Sequence, residues 1–164
     1  MWIKFTWLFF LVWALLGCGP ERWPHGTIEW RDRHGVRVAP NGFTVDRAEF
    51  AQVVEDALVR WEKLHGKVVR DVIRDLWYPD KWGDFDTRVF FQPYPFEHKS
   101  CPLHATLRKR LCAGLTLPPK LLLVGYRTPL STTALAHELG HIIYYNVFST
   151  WVGVHEYMQT HGLE

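Results

Sequence analysis

At positions 137–141 the chain reads His-Glu-Leu-Gly-His. On an α-helix, residues four apart lie one turn apart on the same face. The imidazoles of His137 and His141 could therefore share one tetrahedral Zn²⁺. Glu138, beside the first of them, is placed to take a proton from a water acidified by such a metal. Zinc needs a third protein ligand while a fourth position stays open for water. His155, Glu156 and His161 are candidate ligands among the residues that follow.

A histidine pair of this kind needs a firmly held helix. Ser131, Thr132 and Thr133 are N-cap types just before the motif, and Pro129 stands outside the helix, where it does no harm. Residues 134–148 contain no proline and Gly140 as their single glycine, which predicts a helix of about four turns. Leu135, Leu139 and Ile142 form one apolar stripe, and Ala136, Ile143 and Val147 form another. The histidine face lies between them, so the helix is expected to be buried nearly all round. Imidazoles and a carboxylate in such a place must be paired or coordinated.

The elements that would carry this helix are legible upstream. Residues 120–126 (Lys-Leu-Leu-Leu-Val-Gly-Tyr) form a strand, joined to the motif helix by the short link 127–130. Residues 87–92 form a second strand and 112–117 an extended segment. Residues 28–30 and 36–38 are short strands about a hairpin turn. Asp46-Arg47-Ala48-Glu49 has the shape of a capping box. After it, Phe50, Val53, Val54, Ala57, Leu58, Trp61 and Leu64 recur at helical spacing, and Gly66 offers a C-cap. Val69, Val72, Ile73 and Leu76 continue as a second amphipathic segment that must end before Pro79, and residues 78–86 read as a loop.

Length and composition bound the function. A chain of 164 residues, 48% hydrophobic and 22% charged, suits one domain with a real core. A formal net charge of +2 marks no polyanion binder, and the basic run Arg108-Lys109-Arg110 is too short for a nucleic-acid site. Residues 1–17 carry one cation, Lys4, ahead of an apolar run that is too short for a membrane span and suits a signal peptide. Leu15-Leu16-Gly17-Cys18 resembles the bacterial lipobox. That resemblance implies cleavage before Cys18, lipidation of its thiol and a membrane anchor, with Gly19 favouring the outer membrane of a diderm cell. Residues 18–27, rich in proline and glycine, read as a tether, leaving 28–164 as the folded domain. In an exported chain Cys101 and Cys112 are then expected to pair as a disulfide rather than bind zinc.

Strands, a long helix, then a strand leading into a His-Glu-x-x-His helix resemble the catalytic half of the zincin metallopeptidases. The resemblance implies an α+β, zincin-like fold: a small mixed sheet packed on a long helix, a buried helix bearing the motif, and a short C-terminal segment. It also implies peptide-bond hydrolysis at a zinc ion, with Glu138 as general base and a peptide or protein substrate laid along an edge strand. That strand would be 121–126 or 88–92. The metzincin extension is absent, since Tyr144 and Val147 stand where its glycine and histidine would be. SprT-like peptidases place a third histidine about fourteen residues after the second, which corresponds to His155. On that spacing the expected ligands are His137, His141 and His155, with Glu156 and His161 as alternatives. Tyr144, Tyr145, Tyr157 and His161 are candidate oxyanion donors, and Glu156, Thr132 and Thr133 are candidates to orient a ligand. The competing expectation is a non-catalytic zinc-binding lipoprotein, or an interaction protein on a degenerate peptidase scaffold.

Overall fold

The structure, a computed structural model, describes residues 22–67, 69–70, 73, 87–118 and 120–163. The expected signal peptide, Cys18, Val72 and Leu76 of the second amphipathic segment, and the whole loop at 78–86 lie outside the described residues. Among the described residues, no helix is long and apolar enough to cross a membrane.

The fold is mixed α+β. Its elements are the short strands β1 (Arg22–Trp23), β2 (Gly26–Thr27), β3 (Trp30–Arg31) and β4 (Arg37–Ala39), helix α1 (Arg47–His65), strands β5 (Arg88–Gln92), β6 (Phe96–Glu97), β7 (Leu111–Cys112), β8 (Gly114–Leu117) and β9 (Leu121–Gly125), a 3₁₀ turn (Leu130–Thr132), and helices α2 (Leu135–Phe148) and α3 (Val154–Thr160). A five-stranded sheet runs in the order β3-β4-β5-β9-β8. Its middle strands β4, β5 and β9 are parallel, and both edge strands are antiparallel to their neighbours.

The middles of the central strands, residues 89–91 on β5 and 122–124 on β9, are apolar and buried because both faces are covered. Val89 and Phe91 on β5 and Leu122 and Val124 on β9 face the helices. There they meet Phe50, Val54, Leu58 and Trp61 of α1 and Leu139, Ile142 and Ile143 of α2. Phe90 and Leu123, cross-strand partners in the register, face the other way. They pack with Ala39, Phe96 and the disulfide-bonded pair Cys101 and Cys112. This period-two alternation fixes which side of the sheet receives α2.

Several local readings change in the structure. Residues 22–27, expected as the end of the tether, form the β1–β2 hairpin, and the Arg88 guanidinium lies 4.1 Å over the Trp23 ring. The first sheet hairpin is shifted along the chain, because Asp32 Oδ1 accepts the N–H groups of His34 and Val36 and closes the turn there. Asp46 caps α1 through Ala48 and Glu49 N–H. The reciprocal half of the capping box is absent: the Glu49 carboxylate accepts the Leu130 N–H at 2.6 Å, tying α1 to the turn that feeds α2. Leu64 is 45% exposed, beyond the last contact of α1 with the core.

Candidate metal centre and cleft

Helix α2 begins at Leu135, one residue later than expected. Thr132 and Thr133 hydroxyls donate back to Pro129 and Leu130 carbonyls at 2.7 Å, stabilising the 3₁₀ turn. Ala134 occupies the N-cap position without a side-chain bond, and Thr133 Oγ1 only reaches the Leu135 N–H at 3.3 Å. Both threonines are thus engaged in the turn rather than orienting a histidine. The helix then runs unbroken to Phe148 and stops where Ser149 turns left-handed at φ 55°. Its apolar stripes bury Leu135, Leu139, Ile142 and Ile143, leaving His137 and His141 half-buried on the face between.

Gly153, left-handed at φ 81°, reverses the chain into α3. This helix has seven residues, too few to stand alone, and docks by burying Val154 and Met158. Gly140 provides the seat: a Cβ there would lie 2.6 Å from the Met158 sulfur. One turn earlier on α3, His155 meets the motif. The His155 ring is 4.7 Å from that of His141 and 5.3 Å from that of His137, centroid to centroid.

One ligand atom from each of His137, His141 and His155 lies within 4.8 Å of the others. His137 Nε2 and His141 Nε2 are 3.1 Å apart. Two nitrogens bound tetrahedrally at ordinary zinc distances would stand about 3.3 Å apart, so this pair already has the spacing of ligands. Burial, and then the neighbouring His137 and His155, lower the His141 pKa to about 4. The ring is therefore neutral near pH 7, the form that binds metals. Three such imidazoles can hold a metal ion, and the donor set alone is compatible with several divalent metals.

The other candidate ligands lie elsewhere. Glu156 is exposed and outside the cluster. His161 stacks on Tyr157 at 4.1 Å with Nδ1 2.8 Å from the Tyr157 carbonyl. None of the candidate oxyanion donors lines the cleft beside the histidines. Tyr144 donates to the Val152 carbonyl, Tyr157 pairs with His65, and Tyr145 stacks on Trp151.

Glu138 is 6% exposed. Its Oε2 accepts a 2.6 Å hydrogen bond from Thr116 Oγ1 on β8. Burial raises its carboxyl to about 7, against the opposing pull of the Thr116 hydrogen bonds. On the same strand face, two residues back, Gly114 leaves room for the carboxylate: a Cβ there would fall 2.5 Å from Glu138 Oε1 and 2.6 Å from Ala134 Cβ.

Among the described residues, strand β8 is also an open edge of the sheet. Neither 121–126 nor 88–92 can take the role expected of them, because β9 and β5 are interior strands. The Gly125 N–H donates to the Ala113 carbonyl at 2.8 Å. By the antiparallel alternation, Leu115 and Leu117 also bond inward to β9, while the backbone N–H and C=O groups of Gly114 and Thr116 point outward. A cleft of about 550 Å³ lies along this edge. The three histidines and Glu138 line it, with Pro102, Leu115, Pro118 and Trp151 among its walls. Thr116, Gly114 and Trp151 belong to no recognisable motif, and only their placement in the fold brings them to the cleft.

Comparison with protein families, with curated proteins and with solved structures finds no match for this chain.

Proposed function

We propose that this protein is a zinc-dependent peptidase that hydrolyses extended peptides laid along β8. The observation that carries the reading is the convergence of His137, His141 and His155 beside a buried carboxylate, at the foot of a cleft bounded by a free strand edge. Three imidazole donors beside a glutamate suit zinc among the metals that imidazole binds. A zinc ion held there would supply a Lewis acid for the scissile carbonyl and would acidify water.

The chain's own residues then divide the work. The outward N–H and C=O groups of Gly114 and Thr116 pair with the peptide backbone and hold it extended, the mode of strand addition. Pro102, Leu115, Pro118 and Trp151 give its side chains an apolar wall and exclude water. Glu138 takes the proton of the attacking water and returns it to the leaving amine. A carboxyl shifted up to about 7 is suited to both halves of that transfer near neutral pH.

Glu138→Gln keeps the size and the three histidines but removes the base. We expect it to bind one zinc per chain, measured by metal analysis, and to lose cleavage of a fluorogenic peptide library by at least about 10²-fold. Undiminished cleavage by this variant would refute the assignment. A metal-replete wild-type protein that cleaves nothing would favour a metal-binding role without catalysis.

The proposed compartment is extracytoplasmic, with the chain anchored through lipid on Cys18. The Cys101–Cys112 disulfide supports it, because such bonds persist outside the reducing cytoplasm. Labelled fatty acid should enter the wild-type chain in a bacterial host and not Cys18→Ala. Equal labelling of both would refute the anchor.

A further inference from the structure

We infer that Thr116 is the positioning residue for Glu138, and that β8 thereby fixes substrate and general base from one strand. The inference rests on the proposed role of Glu138 and extends it to a second residue outside the motif. The Thr116 hydroxyl has a single proton and two acceptors in reach: Glu138 Oε2 at 2.6 Å and the Glu138 carbonyl at 3.1 Å. The shorter contact, to the carboxylate, takes the proton, since hydrogen bonds to ionised acceptors are the shorter and stronger ones.

That bond assigns the two carboxylate oxygens different tasks. Oε2 is held by Thr116, leaving Oε1 to accept the proton of the water. Gly114 sets the other limit, since a Cβ at that position would lie 2.5 Å from Oε1, closer than such contacts allow. The carboxylate is therefore held by a hydroxyl at one strand position and admitted by the missing side chain two residues back. Positions i and i+2 share a strand face, so a single register places both groups against α2. The backbone groups of the same two residues point to the open edge, where the peptide would pair. Substrate and base are thus referenced to one rigid element, and an error of about 1 Å in such a relation costs on the order of 10²-fold in rate.

Thr116→Val removes the hydroxyl at nearly constant shape, and Thr116→Ser restores it. We expect Thr116→Val to bind zinc as the wild type does, to lower kcat by about 10- to 100-fold, and to leave KM within about 2-fold. Thr116→Ser should recover kcat to within about 5-fold of wild type. Gly114→Ala should lower kcat similarly with zinc retained. A readout independent of activity is the side-chain carboxyl ¹³C resonance of Glu138 in the metal-free protein, assigned by its loss in Glu138→Gln. It should shift in Thr116→Val and return in Thr116→Ser, with melting curves confirming that each variant is folded. An unmoved resonance, a loss expressed only in KM, or a serine variant no better than valine would overturn the inference. If Glu138→Gln remains active while the resonance behaves as expected, the general-base reading fails and the Thr116–Glu138 contact stands.

Discussion

The third histidine is held in place by a contact that involves no ligand atom. Met158 is fully buried and rests its sulfur on Gly140, and it follows His155 by one turn of α3. Replacing it with alanine removes three heavy atoms from a closed site. The cost for a buried Met→Ala change is about 2–5 kcal/mol. For a chain of this size that corresponds to a fall in Tm of roughly 2–4 °C per kcal/mol. The loss falls on α3, a seven-residue helix held by Val154, Met158 and the ring of Tyr157, which stacks on Trp61 and pairs with His65.

The consequence for the metal follows from the docked fraction. Apparent affinity scales with the population of the binding-competent state. A local cost of about 2 kcal/mol changes the docking equilibrium about 30-fold, which sets the ceiling on the loss of affinity. We therefore expect Met158→Ala to bind zinc about 3- to 30-fold more weakly, by competition against a chromophoric chelator. Met158→Leu, which conserves volume, should stay near wild type. In a His155→Ala background the methionine change should no longer affect affinity, because α3 then carries no ligand. Equal weakening in both backgrounds would refute the argument and reduce Met158 to an ordinary core residue.

Two further outcomes are expected. Arg70 forms short hydrogen bonds to Glu55 and Glu62 at 2.7–3.0 Å and holds the Glu55 carboxyl below its ordinary value. A depressed folded pKa stabilises above the unfolded value near 4.5, and that contribution is lost as pH falls through the folded one. Arg70→Leu should therefore cost about 1 kcal/mol near pH 7, a modest figure for partly exposed groups. The difference from wild type should shrink below about pH 4 in urea titrations, and a constant gap down to pH 2 would contradict the linkage. Opening the Cys101–Cys112 bond, which spans 11 positions, should cost roughly 3 kcal/mol. It should raise KM more than it weakens zinc, since Pro102 and Cys112 line the cleft and neither is a ligand; an unchanged Tm in Cys101→Ser/Cys112→Ser would count against it.

What could be read from the chain and what could not divide along a physical line. The motif helix, α1 with its Asp46 cap, and strands β5 and β9 are written in local patterns: apolar periodicity, cap residues and a proline-free run. The disulfide is legible from cysteine count once export is assumed. His155 could be reached as a candidate ligand only by spacing, because its position depends on three events in series: the Ser149 stop, the Gly153 reversal, and the seating of Met158 on Gly140. Each is local, but their sum is a tertiary contact, and by ligand type and reach Glu156 and His161 stay open as alternatives in the sequence. The choice of edge strand was less accessible still. Residues 114–117 are short and only half apolar, whereas 88–92 and 121–125 are the stronger strands because they are central and buried on both faces. The strongest strand signal therefore marks the interior of this sheet, and the cleft is met by a shorter edge strand. Two of its four residues, Gly114 and Thr116, are small or polar, so no conspicuous side chain marks them in the sequence.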